Sequence, residues 1–247
     1  MPEAIINGLQ HYWEDHGEGE PLIMFHGASQ SSVSLAHHAL ALSKTHRVIV
    51  PDMRAMGRSA HVSEMPPSAW IDDAKALLDH LGLQRVHAFG ISLGARVALR
   101  LAIDHPALVK TLTLELPIIA MEGATNTALN VNLGSFGNLP EADQKMREDQ
   151  HGTDWRNVLA NYMSIRNKPE LQDHYSLRET SKGVRVPTLI LRGDEREVVH
   201  PLGHCFELHQ NIPGSWLWIR PNTNGSSLNA APEEGYALMR ALMANGQ

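Results

Sequence analysis

Cysteine is almost absent from this chain, since the 247 residues include only Cys205. A single thiol cannot form an internal disulfide, which is compatible with a reducing compartment. The N-terminal residues Met1–Ala4 contain neither the basic nor the apolar segment of a secretory signal. We therefore expect a cytoplasmic protein that is stabilised by its hydrophobic core.

Excess positive charge and long apolar runs are also missing. The chain has 21 Lys and Arg against 27 Asp and Glu, a net charge of −6, which disfavours a nucleic-acid partner. No apolar run approaches the roughly 20 residues that cross a bilayer, so we expect no membrane partner either. The expected partner is a small-molecule substrate or ligand, and a homo-oligomer stays open.

Short apolar runs alternate with helical patterns along most of the chain, which predicts βα units around a mostly parallel sheet. Strands of such a sheet read as continuous apolar runs because helices cover both of its faces. The predicted strands are Leu22–Phe25, Arg47–Val50, Val86–Phe89, Thr111–Leu116, Thr188–Leu191 and Trp216–Ile219. The clearest helical periods are Ser68–Leu83, Leu93–His105 and Pro232–Ala244.

Between residues 117 and 182 the alternation stops, and helical patterns occur without strands. Glu141–Gln150 and Asp154–Ile165 are the best helix candidates, and the second has an apolar stripe that includes Trp155 and Tyr162. The stripe disfavours the alternative of a disordered linker. We predict a core domain of residues 1–116 and 183–247, with a small helical lid, 117–182, inserted after the strand that ends near Leu116.

The segment Gly90–Gly94 reads G-x-S-x-G and lies between a predicted strand and a predicted helix. In that context the motif indicates a serine on a sharp strand-to-helix turn. The two flanking positions need glycine, because the chain passes so close to itself there that side chains would clash. The helix N-terminus directs backbone N–H groups at a developing oxyanion. We predict Ser92 as a nucleophile; a chance serine in a glycine-rich turn is the alternative that the flanking elements disfavour.

Several further segments resemble the α/β-hydrolase superfamily in order and spacing, over nearly the whole chain. The resemblance implies an α/β fold of the α/β-hydrolase type, an oxyanion hole made by the backbone N–H groups of Ala28 and Leu93, and no cofactor. The matching segments are His26-Gly27, Asp52-x-Arg54-x-x-Gly57-x-Ser59, the turn at Ser92, Arg192-Gly193-Asp194, Pro221-Asn222-Thr223 and Ala231-Pro232-Glu233-Glu234.

Beside the first of these turns we expect His26 and Ser29 to contact substrate. In this family the histidine at that position is usually structural and ties the turn with hydrogen bonds. From the lid, Trp155 and Tyr162 are expected to line the pocket.

The chain lacks the histidine that this family places after its last strand, in a segment such as P-N-x-G-H. Gly225 stands at that position, and no histidine follows His209. A serine hydroxyl is a poor nucleophile without an adjacent base. In one well-studied serine protease, loss of the histidine alone lowers turnover by about 10⁶. Ser92 therefore needs a base from elsewhere in the chain.

The family's acid position is altered as well. It falls three residues after Gly193, where the chain has Arg196. Asp194, Glu195 and Glu197 flank that position and could supply a carboxylate. Glu115, at the end of the strand that follows the predicted helix Leu93–His105, is a further candidate because some members of this family carry their acid there.

His200 is the first candidate for the base, because it follows the late strand in the loop that this fold places near the pocket. His26 ranks second, and the lid offers His151 and His174. A metal site is a weaker interpretation. His200 and His204 are four residues apart with Cys205 and His209 nearby, but no third ligand is evident, so we predict no metal.

Two interpretations follow. In the first, Ser92, His200 and Asp194 act on a small, mostly apolar carbonyl compound: an ester, lactone, thioester or C–C bonded diketone. A variant of this enzyme would perform lyase, isomerase or cyclase chemistry in the same pocket. In the second, the loss of both acid and histidine marks a catalytically inactive pseudoenzyme or ligand-binding protein. The sequence alone also leaves open that Gly225 and Arg196 were introduced deliberately.

Overall fold

A central sheet organises the chain in the computed structural model, which describes residues 2–134, 136–137, 139–195 and 198–246. The described strands are β1 Glu3–Ile6, β2 Leu9–His16, β3 Pro21–Phe25, β4 Arg47–Pro51, β5 Val86–Ile91, β6 Val109–Glu115, β7 Thr188–Gly193 and β8 Trp216–Arg220. Their order across the eight-stranded sheet is β1-β2-β4-β3-β5-β6-β7-β8.

Parallel pairing places the functional loops at one edge of the sheet. The six strands from β3 to β8 pair only in parallel with one another. Strand β2 pairs antiparallel with both of its neighbours, β1 and β4. Carboxyl ends of parallel strands meet at the same edge, where ligands bind in open α/β sheets. The chain segments that leave β3, β5, β6 and β7 therefore converge there.

Ten α-helices are described around and beyond the sheet. Two short 3₁₀ turns, Ser32–Leu35 and Thr180–Gly183, accompany them. The helices are α1 Ala36–Leu42, α2 Ala69–His80, α3 Leu93–Asp104, α4 Gly123–Gly134, α5 Glu141–His151, α6 Trp155–Arg166, α7 Pro169–His174, α8 Leu202–Asn211, α9 Ser227–Ala230 and α10 Pro232–Asn245.

Strand β3 shows how the sheet is covered on both faces. Leu22 and Met24 pack into a core with residues of α1 and α10, whereas Ile23 and Phe25 pack into a core with residues of α2 and α3. The side chains alternate because successive residues of a strand point to opposite faces. Full burial of such a side chain stabilises a fold by about 1.5–3 kcal/mol. The continuous apolar run is thus explained by two cores.

Helices α4 to α7 form the insertion between β6 and β7. The apolar stripe of α6 is buried and includes Trp155 and Tyr162. A hydrogen bond joins the insertion to the core: Arg96 Nη2, on α3, donates to the Tyr175 carbonyl at 2.8 Å. The fold prediction is therefore confirmed: a mostly parallel sheet flanked by helices, with a helical segment inserted after β6.

The prediction missed the first two strands and α1. The hairpin of β1 and β2 turns at Asn7 and Gly8, both at positive φ. Strand β2 carries polar residues on its half-exposed face, so it does not read as a continuous apolar run. Within the described ranges, none of the helices has both the length and the apolar character needed to span a bilayer.

Gly94 sets the distance between α3 and the sheet. A Cβ atom at this position would lie 2.0 Å from the Phe25 carbonyl oxygen, so any side chain would push α3 away from β3. Gly203 is the matched case, because it is likewise the second residue of its helix, α8, yet a Cβ there would meet nothing within 4 Å.

We expect Gly94→Ala to lower the free energy of unfolding by about 1–3 kcal/mol, the usual cost of overpacking. Gly203→Ala should leave it within about 1 kcal/mol or raise it, because alanine favours a helix over glycine. Urea titration of both variants measures the difference. Equal unfolding free energies for the two variants would contradict the close approach at Gly94.

Candidate active site

Ser92 lies at the corner between β5 and α3 in a strained backbone conformation, with φ 55° and ψ −112°. Such a conformation costs on the order of 1–3 kcal/mol in a non-glycine residue and persists only where the surroundings impose it. The Ser92 N–H donates to the Glu115 carbonyl at 2.9 Å. A Cβ at Gly90 would lie 2.0 Å from the Gly94 carbonyl oxygen, so the corner closes only with glycine there.

His200 lies in the loop between β7 and α8, and its Nε2 atom is 2.8 Å from Ser92 Oγ. The fully buried Arg192 fixes this loop from the inside. Its Nε donates to the His200 carbonyl at 2.8 Å and its Nη1 to the Glu195 carbonyl at 3.1 Å. The structure thus brings together the predicted nucleophile and the first-ranked candidate for its base.

Asp194 has an exposed side chain at the start of the same loop. Its Oδ1 accepts from the Thr223 N–H at 3.2 Å, and its own N–H donates to the Arg220 carbonyl at 3.0 Å. These contacts tie the loop to the turn after β8. Arg196, predicted to stand at the family acid position, and the neighbouring Glu197 lie outside the described residues. The direct acid role of Asp194 stays a prediction.

The two predicted oxyanion donors flank Ser92. Leu93 is the first residue of α3, so its N–H has no partner within the helix. Ala28 follows β3, and in the described part of the chain no group accepts from its N–H. The next residue, Ser29, has a positive φ of 52°. Both N–H groups are therefore available to a negatively charged oxygen.

His26 holds the loop that carries Ala28 and does not face the cavity. It is fully buried; its Nε2 accepts from the Met53 N–H at 3.0 Å, and its Nδ1 donates to the Gly27 carbonyl at 2.9 Å. Burial lowers its pKa to about 4, so the ring is neutral at neutral pH. Both ring nitrogens of His26 form hydrogen bonds with backbone groups. This differs from the substrate contact and from the base role that the sequence suggested for His26.

Ser29 connects this loop to the insertion. Its carbonyl accepts from Arg147 Nη1 at 2.7 Å and from His151 Nε2 at 3.1 Å, both on α5. His151 Nδ1 in turn accepts from the Gly57 N–H at 2.9 Å. Burial lowers the pKa of His151 to about 4, which keeps the ring neutral. Ser29 is buried, and its carbonyl group binds α5. This differs from the substrate contact predicted for its side chain.

A cavity of about 430 Å³ opens beside Ser92. Trp155 and Tyr162, expected to line it, are instead buried within the insertion and against the core. Helix α4 of the insertion lines the cavity instead. Its apolar residues have little helical periodicity, which explains why the sequence did not predict this helix. The lining residues are Gly27, Ala28, Gln30, Ile91, Ser92, Leu116, Leu129, Asn132, Leu133, Val199, His200, Ser226 and Asn229.

Glu115 is fully buried behind the corner. Its carboxyl group accepts from the Leu228 N–H at 3.2 Å and from the Ser227 hydroxyl at 3.3 Å. Burial raises its pKa to about 7. The candidate acid therefore holds the segment just after Gly225, where the family places its histidine.

The remaining candidates lie elsewhere. The ring of His174 contacts that of Tyr175, with centroids 4.9 Å apart, and His209 Nδ1 is 2.9 Å from the Ser215 hydroxyl. Cys205 is buried, which raises its pKa to about 12. Among the residues that the structure describes, no three His, Cys, Asp or Glu side chains are grouped to hold a metal ion.

The raised pKa of Glu115 predicts a pH-dependent stability. Between its usual value of 4.5 and its folded value of about 7, the folded state binds more protons than the unfolded state, so stability falls as pH rises. Glu115→Gln should remove this dependence, and its stability relative to the native chain should rise by about 3 kcal/mol from pH 4.5 to 8.

Urea titrations across this pH range measure the effect. Glu234→Gln, which removes an exposed carboxylate on α10, is the control for the loss of one charge. Parallel stability curves for the native chain and Glu115→Gln would contradict the buried, protonated carboxyl group.

Comparison with known sequences identifies hydrolase relatives. The chain is 37% identical over 121 residues to the 2-hydroxymuconate semialdehyde hydrolase of Pseudomonas sp. (strain CF600), which covers 45% of the chain and 41% of that protein. The match thus spans about two fifths of the relative. A 2-hydroxy-6-oxo-2,4-heptadienoate hydrolase of Pseudomonas putida is 25% identical over 241 residues, 87% of the chain and 86% of that protein.

Comparison with solved structures extends the fold over the whole chain. An N-acyl homoserine lactone degrading enzyme superposes with a TM-score of 0.80 at 22% sequence identity, covering 97% of this chain and 99% of that one. At this identity the likeness concerns the fold. The family model described as alpha/beta hydrolase fold matches residues 20–152, more than half of the chain, including the corner at Ser92. The chain belongs to the alpha/beta hydrolase fold family.

Proposed function

We propose that this protein is a serine-dependent hydrolase of small, mostly apolar carbonyl compounds such as esters and lactones. The observation that carries the proposal is the 2.8 Å distance between Ser92 Oγ and His200 Nε2 at the wall of the cavity. A nucleophile within hydrogen-bond reach of a base is the signature of nucleophilic catalysis. His200 would thus replace the family histidine that Gly225 has displaced.

In the proposed reaction, Ser92 Oγ attacks the carbonyl carbon while His200 Nε2 takes the hydroxyl proton. The tetrahedral intermediate then collapses, and the C–O bond to the leaving group breaks as His200 returns the proton to the departing oxygen. Water repeats the sequence on the acyl-enzyme: His200 takes a proton from water, hydroxide adds to the carbonyl, and Ser92 leaves with that proton. Atoms and charge balance with water as the sole co-reactant.

The oxyanion of each intermediate is proposed to accept hydrogen bonds from the N–H groups of Ala28 and Leu93. Donors that are already oriented need no rearrangement as charge develops, and loss of one typically lowers the rate by about 10²–10³. The contacts of His26, Arg147 and His151 support this assignment, because they hold the loop that carries Ala28 in place.

Asp194 is proposed to act through the loop that carries His200. Its hydrogen bonds to the backbone of Thr223 and Arg220 join that loop to the turn after β8. Together with the buried guanidinium of Arg192, they fix the His200 backbone relative to the sheet. The contacts described for Asp194 thus support a positioning role through this loop, beside the acid role predicted from the sequence.

The cavity supports a small substrate. Its volume of about 430 Å³ falls in the range of small-molecule sites, and its wall combines aliphatic side chains with polar ones. The names of the two relatives describe hydrolases of carbonyl compounds, and the structural neighbour degrades a lactone. These names favour a carbonyl substrate over other hydrolase substrates.

Fluorophosphonate labelling tests the proposal. We expect the native chain to gain the probe mass at Ser92 and to hydrolyse short-chain p-nitrophenyl esters. His200→Ala should lower the rates of both by at least about 10³, because proton transfer then lacks its acceptor. His209→Ala removes an exposed imidazole from nearby α8 and is the matched control, with rates near those of the native chain.

Absence of labelling and of ester hydrolysis in the native chain would refute the proposal. The protein would then be a ligand-binding relative that retains the cavity without the chemistry. Equal losses in His200→Ala and His209→Ala would refute the assignment of His200 alone.

A further inference from the structure

Asn229 presents a side-chain amide at the wall of the cavity, and a buried histidine holds that amide from behind. Its Oδ1 lies 2.8 Å from His38 Nε2. His38 Nδ1 lies 2.7 Å from the Tyr236 hydroxyl. The three residues come from α9, α1 and α10, so this chain of polar groups crosses from the helical layer to the substrate cavity.

With Asn229 Oδ1 facing His38, the hydrogen bonds of this chain run from Tyr236 through His38 to Asn229. Burial lowers the pKa of His38 to about 4, so at neutral pH the ring carries one proton. An amide oxygen only accepts, so Nε2 must be the protonated nitrogen, and it donates to Asn229 Oδ1. Nδ1 then accepts from the Tyr236 hydroxyl. His38 and Tyr236 are both buried, which prevents either from rotating freely.

This arrangement determines which end of the amide is available. Asn229 is itself an exposed residue at the mouth of the cavity. With Oδ1 occupied by His38, the Nδ2 group carries two N–H donors, and no acceptor for them lies in the described part of the chain. The backbone N–H of Asn229 is already used, since it donates to the Ser226 hydroxyl at 3.0 Å. Asn229 therefore offers the cavity a donor and not an acceptor.

The wall combines aliphatic side chains with other polar groups, among them Gln30 and Asn132, and Asn229 differs from these two amides in being held by a buried imidazole. Leu116, Leu129, Leu133 and Val199 line the same cavity and provide no directional contact. A group held to donate a hydrogen bond discriminates between ligands that carry an acceptor and ligands that lack one. The fixed amide thus distinguishes substrates by a second oxygen, apart from the carbonyl that reacts.

We propose that Asn229 is a specificity-determining residue that donates a hydrogen bond to a second oxygen of the substrate's acyl chain, such as a ketone, an amide carbonyl or a ring oxygen. The inference rests on the proposed ester or lactone hydrolysis at Ser92. It assigns the preferred substrates to oxo-acyl compounds, in preference to plain alkanoyl compounds of the same length.

Matched ester pairs test the inference. The substrates are p-nitrophenyl pentanoate and hexanoate, each compared with the ester of the same length that has a ketone on its penultimate carbon. The two lengths place the ketone at two distances from the ester. The measured quantity is the oxo-to-alkyl ratio of kcat/KM, divided by the same ratio for hydroxide-catalysed hydrolysis, which removes intrinsic reactivity.

For the native chain we expect a ratio of about tenfold for at least one length, the effect of one good hydrogen bond of about 1.4 kcal/mol. Asn229→Leu should bring the ratio to about one, because it removes the donor. Asn229→Asp keeps the shape but offers acceptors only, so its ratio should also fall. His38→Leu leaves Asn229 in place without its anchor and should give an intermediate ratio.

The outcomes separate the two proposals. A merely structural role of Asn229 would lower kcat/KM for both members of a pair equally and leave the ratio unchanged, which would overturn the inference. A native ratio near one at both lengths, with alkyl esters hydrolysed and Ser92 labelled, would overturn the inference alone. No hydrolysis of any ester and no labelling would overturn the proposed function and the inference together.

Discussion

The closed corner at Ser92 is the constraint on which the arrangement of this site depends. Its backbone is held at φ 55° because α3 packs directly on β3 through Gly94 and because the sheet supplies the Glu115 carbonyl to the Ser92 N–H. A side chain at Gly90 or Gly94 would open the corner. The strain is therefore sustained by the two cores of the sheet, and it projects the serine hydroxyl beyond the strand end toward the loops.

Parallel topology explains how an imidazole can reach Ser92 from an unusual loop. The segments that follow β6, β7 and β8 all emerge at the edge of the sheet where Ser92 lies. A histidine in any of these segments can therefore lie close in space to the Ser92 hydroxyl. Here the segment after β7 provides His200. The buried Arg192 side chain donates hydrogen bonds to the carbonyl groups of His200 and Glu195 in that segment. The segment after β8 is held instead by Glu115.

The sequence was informative wherever local pattern and tertiary role coincide. The glycines around Ser92 and the apolar runs of the parallel strands follow from local sterics and from burial on two faces, so the fold and the nucleophile corner were predictable. His200 was predictable as the first of several candidates, because its loop is fixed by strand order. The hairpin of β1 and β2 was missed, although Asn7-Gly8 is a strong turn signal between strands.

Other features were not predictable because they depend on contacts between distant segments. Trp155 and Tyr162 lie on a clear apolar stripe, but the period of a helix does not say whether its buried face meets a cavity or a core. The cavity wall came instead from α4, which has little periodicity. The roles of Arg147 and of the pair His38 and Asn229 join residues over 100 positions apart, which no local pattern encodes.

The attachment of α5 to the loop after β3 couples the insertion to the conformation of that loop. Arg147 and His151 both bind the Ser29 carbonyl, one residue past Ala28, and His151 also accepts from the Gly57 N–H. Withdrawal of α5 would break these three hydrogen bonds and release the loop that carries Ala28. The α5 end of the insertion is thus tied to the loop after β3, whereas α4 is tied to the loop after β7, where the Thr125 hydroxyl donates to the Val198 carbonyl at 3.2 Å. The conformation of the insertion therefore affects two of the loops that form the wall of the cavity.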